Sequence, residues 1–183
     1  MKNDVQIHRR RSIRLKDWDY SQSGAYFITI VTYRRECLFG KIEDGRMIPT
    51  PMGQIADDHW RAIPDHFPTI ELGAYVVMPN HIHGIIMIQS HGVDIPIVGA
   101  THWVAPTGRP NGPKRGSIGG IVGAYKMSVT RRIQRELDGA NIWQRNYYEH
   151  IIRDENEHSR IHLYIESNID NWNLDDENPS NPK

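Results

Sequence analysis

Asn80-His81-Ile82-His83-Gly84-Ile85-Ile86-Met87-Ile88 sets two imidazoles two residues apart inside an apolar run that reads as a β-strand. Strand side chains alternate between the faces of a sheet, so His81 and His83 leave from the same face, close enough to hold one divalent metal ion. The fold must therefore bury one face of this strand and keep the other for the imidazoles.

The flanking segments supply the rest of a sheet. Ala25 to Thr32 is aromatic and β-branched and follows a Ser23-Gly24 turn, which predicts a first strand. Asp44-Gly45 between short apolar stretches predicts a tight hairpin inserted between Cys37 and Ile48. Thr50 before Pro51 marks a helix start, with Ile55, Trp60 and Ile63 on one face. Ile70 to Met78 reads as a strand that Pro79-Asn80 turns directly into the histidine strand, an antiparallel pair. From Ser117, Ile118, Ile121, Val122, Tyr125, Val129, Ile133 and Leu137 recur at helical spacing as far as Gly139. Ile142-Trp143 and Tyr147 to Ile152 suggest a last strand, and Asp154 with Glu157 reads as a capping pair that opens a final helix to about Asn168. This order predicts an α+β, ferredoxin-like (RRM-like) β-α-β-β-α-β antiparallel sheet with an added C-terminal helix. The first and third strands lie centrally in that arrangement, with the histidine face turned away from the two main helices.

At 183 residues and 38% hydrophobic content the chain is long enough for one core, and it lacks a run of ~18 apolar residues, so no membrane span is expected. The lone Cys37 excludes an intramolecular disulfide and a cysteine-based zinc site, which fits a reducing cytoplasm. Net charge is zero but unevenly placed. Residues 1–22 form a basic N-terminal extension that includes Arg9, Arg10, Arg11 and Arg14. Lys126, Arg131, Arg132 and Arg135 cluster on the second long helix, and the segment 169–183 is acidic and expected to fray. Basic stretches at two places suit a polyanion, and these eight cations are the candidate DNA contacts. Residues 89–116 hold five Gly and four Pro, which predicts a long irregular connection within a catalytic domain spanning 23–168.

On the final helix Tyr164 and Asn168 stand i, i+4 and share a face. A phenol of pKa ~10 is a poor nucleophile. A metal ion polarising the electrophile, or a neighbouring base, activates it. If this helix packs on the open sheet face, the phenol and the amide oxygen reach the imidazoles together.

Tyr26 to Thr32, Val76 to Ile86, Gly116 to Thr130, Trp143 to Arg153 and Tyr164-Ile165-Glu166-Ser167-Asn168 together resemble the REP-associated tyrosine transposases, single-tyrosine members of the HUH superfamily. The likeness covers most of residues 9–170. It implies that His81 and His83 bind Mg²⁺ or Mn²⁺, that Tyr164 is the catalytic nucleophile and that Asn168 is the third metal ligand. It also implies a metal-dependent transposase and endonuclease that cleaves and rejoins single-stranded DNA near palindromic hairpins through a 5′-phosphotyrosine link; the oligomeric state does not transfer from the family, and monomer and homodimer both stay open. One departure is local: the family often continues with Asn-Pro, whereas Asn168 precedes Ile169. Two other readings remain open, a non-catalytic single-strand-binding ferredoxin-like module and a domesticated nuclease that processes chromosomal repeats.

Overall fold

The computed structural model describes residues 19–89, 114, 116–137 and 141–181. Arg9, Arg10, Arg11 and Arg14, and most of the 89–116 connection, lie outside the described residues.

Four strands form the main antiparallel sheet: β1 (Gly24–Val31), β4 (Ile70–Val77), β5 (His81–Ile88) and β6 (Tyr148–Ile152), in the order β4-β5-β1-β6. The two central strands are the predicted ones. Between β1 and β4 lie β2 (Gly40–Glu43) and β3 (Arg46–Pro49), a separate two-stranded hairpin. Its Asp44-Gly45 turn has φ of 51° and 68°. Positive φ at both central residues matches the right-handed twist of the flanking strands.

Helix α1 (Pro51–Arg61) begins where Thr50 accepts a hydrogen bond from the Gly53 amide, and the short α2 (Ile63–His66) follows it. Helix α3 (Ile118–Leu137) packs against α1, and both cover one face of the sheet. Tyr26, Ile28 and Ile30 of β1 and Ile82 and Ile86 of β5 meet Ile55, Trp60, Ile121, Val122, Tyr125 and Val129 there. These alternate positions are fully or almost fully buried, so each central strand commits one side to the core. Gly84 belongs to this side, because a Cβ there would lie 2.3 Å from the Trp60 ring.

The alternate residues Thr29, His81, His83 and Ile85 face the other way. Helix α4 (Glu155–Glu166) covers that second face, packing on β4, β5 and β6 and burying Ile165. Asp154 caps it by accepting from the Glu157 amide, as its spacing predicts. Residues 169–181 of the segment expected to fray are instead folded. After α4 the chain turns back, makes a short 3₁₀ turn at Trp172–Leu174, and buries Asp175 and Asn178. Among the described residues no helix is long and apolar enough to cross a membrane.

Candidate active site

His81 and His83 stand side by side on β5 with ring centroids 4.4 Å apart, and both are buried. Their partners on the outer side of each ring fix how the rings point. Asn80 donates its amide NH₂ to two carbonyls, of Arg35 at 3.0 Å and of Glu177 at 2.7 Å. Its amide oxygen therefore faces His81 Nδ1 at 2.8 Å as an acceptor, so Nδ1 carries the proton and donates. The lone pair of His81 is thereby assigned to Nε2, which is buried without a hydrogen-bond partner. His83 Nδ1 lies 2.8 Å from the Thr29 hydroxyl, and the matching tautomer donates to Thr29 and leaves Nε2 with its lone pair.

Burial is the main force on both rings. It pushes His83 down to about 3, and it holds His81 well below its ordinary value, helped by the neighbouring His83 and by Arg35. Both imidazoles are neutral near pH 7, the form that binds metal.

Helix α4 brings Tyr164 onto the same centre; it ends at Glu166, short of the expected Asn168, which follows in the turn past its C-cap Ser167. The Tyr164 hydroxyl is 3.2 Å from His83 Nε2, and its ring meets His83 at 5.3 Å and Phe27 at 6.1 Å, edge-on to both. Asn168 is 2% exposed, and its Oδ1 is buried with no hydrogen-bond partner. Burial raises the Tyr164 pKa; the Asn168 amide opposes this, while Asp175, Asp176 and Glu177 add to it. The phenol thus stays protonated in the resting site.

Asp175 is the residue that sequence reasoning did not reach. His81, His83 and Asp175 offer three buried ligand atoms all within 4.8 Å of one another. Asp175 Oδ2 lies 3.7 Å from His81 Nε2, which is not an ion pair because the imidazole is neutral. Burial, more than its charged neighbours, raises the Asp175 pKa. A run of Asn and Asp side chains holds it in place: Asp175 Oδ1 accepts from the Glu177 amide, Asn178 donates to the Trp172 carbonyl, and Asn181 donates to those of Asn173 and Asp175. Arg35 clamps the same segment through the Asp176 carbonyl at 3.0 Å and the Glu177 carboxylate at 2.8 Å.

The donor set fits a divalent ion. Buried polar atoms are rarely left unpaired, and two are here: His81 Nε2, which lies with a second imidazole and the Asp175 carboxylate, and Asn168 Oδ1. Two imidazole nitrogens beside a carboxylate suit Mn²⁺ at least as well as Mg²⁺, which prefers an all-oxygen shell.

A solved REP-associated tyrosine transposase bound to a REP hairpin matches 85% of this chain and 72% of its own, with a TM-score of 0.52 and 20% sequence identity. The chain has the REP-associated tyrosine transposase fold. By sequence it is 40% identical over 177 residues to an uncharacterized protein of Haemophilus influenzae, covering 95% of this chain and 96% of that one. It belongs to one family with that protein. No protein-family profile matches the chain.

Within this transposase fold the described candidate DNA contacts fall on the helical layer, across the sheet from Tyr164. The Lys126 ammonium is directed at the carbonyls of Gln144, Arg145 and Asn146, at 2.6, 3.5 and 3.4 Å, and burial lowers its pKa to about 8. It ties α3 to the loop before β6. Arg132 and Arg135 both pair with Glu136, and Arg131 is exposed. His150 pairs with Glu157 at 2.7 Å.

Proposed function

We propose that the protein is a metal-dependent endonuclease and strand transferase for single-stranded DNA, of transposase type, with Tyr164 as its nucleophile. The observation that carries this reading is the Tyr164 hydroxyl set against buried ligand atoms that have no other partner. The fold likeness to a transposase bound to a REP hairpin supports a palindrome-bearing DNA as substrate.

His81, His83, Asn168 and Asp175 would hold Mg²⁺ or Mn²⁺. When bound, the ion would supply Lewis-acid polarisation of the phosphoryl group. The Tyr164 oxygen attacks phosphorus, losing its proton; the P–O3′ bond breaks, and the departing 3′ oxygen takes up a proton. The products are a 5′-phosphotyrosine and a free 3′ hydroxyl. One phosphodiester is exchanged for another, so the same hydroxyl can attack the phosphotyrosine and restore a DNA strand. Asn80 and Thr29 orient the imidazoles throughout, and the packing of α4 on the sheet positions the phenol.

The test is cleavage of single-stranded oligonucleotides that carry a palindrome and its native flanks, with and without Mn²⁺. Divalent-dependent cleavage is expected, lost in Tyr164→Phe while DNA binding persists. Cleavage by Tyr164→Phe at the wild-type rate would reject the assignment.

A further inference from the structure

Beside Tyr164, on its side away from the imidazoles, lies an open cleft of about 330 Å³. Its helix wall is Glu157, Arg160, Ile161 and Tyr164, which recur at i, i+3, i+4 and i+7 on one face of α4. Its sheet wall is Tyr148 and His150 of the edge strand β6, together with Phe27, which pairs with His150 in register. The Tyr164 ring is thus shared between the cleft and the metal-ligating cluster, so an occupant of the cleft lies next to the phenol.

The three aromatic rings differ in availability. Phe27 is stacked on His83 at 5.3 Å and 26°, so one of its faces is taken. Tyr148, which lines the cleft, stands edge-on to Phe27 at 6.2 Å and is 39% exposed, so its ring is not covered by the others. The acid in the cleft is already engaged: Glu157 accepts from His150 and from the Arg153 amide, and these bonds hold its carboxyl below the usual range. Arg160 is exposed and has no ion-pair partner among the described residues. An exposed ring and a free guanidinium, with the one carboxylate of the cleft already hydrogen-bonded, match a base with its attached phosphate.

We propose that this cleft receives an unpaired nucleobase of single-stranded DNA, from a nucleotide flanking the scissile phosphate, stacked on Tyr148 with its phosphate on Arg160. The proposal rests on the single-strand DNA reading of the site and adds where the strand runs: from the phenol out along α4 and the β6 edge. Stacking tolerates every base, so this subsite contributes affinity and strand direction rather than sequence choice.

The experiment uses the full chain, without metal so that no chemistry intervenes, and a 12-nucleotide random-sequence single strand with 5-iodouracil in place of thymine. Irradiation followed by peptide mapping is expected to place the crosslink on Tyr148. By anisotropy, Tyr148→Ala should bind the strand about tenfold more weakly and Tyr148→Phe like the wild type. Arg160→Ala, at an exposed position where folding is not at stake, should weaken binding and flatten its salt dependence. Crosslinks confined to other segments, or Tyr148→Ala and Arg160→Ala binding at full affinity, would overturn the proposal. The two readings separate cleanly. A crosslink at Tyr148 without any metal-dependent adduct on Tyr164 would keep the cleft and remove the transesterase, whereas a Tyr164 adduct with unaffected cleft variants would do the reverse.

Discussion

At the scale of single residues, Asn80 decides what His81 can do. By giving both amide hydrogens to carbonyls it presents only an oxygen to the ring, and so turns the imidazole lone pair toward Asp175. Groups that orient a ligating histidine are typically worth ~10–100-fold in metal affinity. Asn80→Ala should therefore weaken Mn²⁺ binding by about that factor in a calorimetric titration. The Tyr164–His83 contact makes a second prediction. His83 Nε2 has one lone pair, which either accepts from the phenol or binds an ion. Tyr164→Phe removes a competitor worth roughly 0.5–1.5 kcal/mol, so it should bind Mn²⁺ a few-fold more tightly while losing cleavage. Unchanged or weaker Mn²⁺ binding would show that the two do not compete. The shared face of His81 and His83 was legible because their spacing on one strand dictates it, whereas Asn168 lies past the end of α4, where helical spacing from Tyr164 no longer applies. Asp175 was not legible, because its position depends on a chain reversal stabilised by side chain to backbone bonds rather than by any periodic pattern. The visible signal was Trp172 followed by Asn or Asp at 173, 175, 176, 178 and 181, a composition that suits turns as well as fraying.

At the scale of elements, β5 serves both faces of the sheet, and Gly84 is where they conflict most. Its neighbour His83 belongs to the site, while Gly84 itself lies against the fully buried Trp60. A methyl group at 2.3 Å from that ring forces either Trp60 or the strand to move. Gly84→Ala should destabilise the fold by about 1–3 kcal/mol in urea unfolding and, if the strand is what moves, disturb the adjacent histidine. Removing the α4 cap is milder. Asp154→Ala should cost about 1 kcal/mol. The order of strands and helices was readable because alternation and helical spacing were both clear in β1, β5 and α3. The last strand was less so: Trp143 makes only an isolated bridge to Thr32, and pairing with β1 resumes at Tyr148. What the pattern of α3 could not reveal is that its Lys126 faces a loop, since three carbonyl acceptors gathered from residues 144–146 leave no periodic trace.

For the molecule as a whole, burying two neutral histidines links stability to pH. The folded His83 titrates at about 3, far below its ordinary value of ~6.5. Between these values the unfolded chain binds the proton and the folded chain does not. Stability of the metal-free protein should thus be insensitive to His83 above pH ~6.5 and fall as pH drops from there toward 3, with His81 acting in the same direction. Denaturant midpoints measured across that range test this, and His83→Gln should flatten the slope. Saturating Mn²⁺ should raise the thermal midpoint of the wild type but not of the double variant His81→Ala, His83→Ala. Whether Tyr164 opens a DNA strand by joining its 5′ phosphate can be read by mass spectrometry of the protein after incubation with Mn²⁺ and palindrome-bearing single-stranded DNA. One modified peptide is expected, with a nucleotide linked through its 5′ phosphate to Tyr164 and a free 3′ hydroxyl on the released fragment. Cleaved DNA with Tyr164 unmodified, or a link through a 3′ phosphate, would contradict that role for Tyr164.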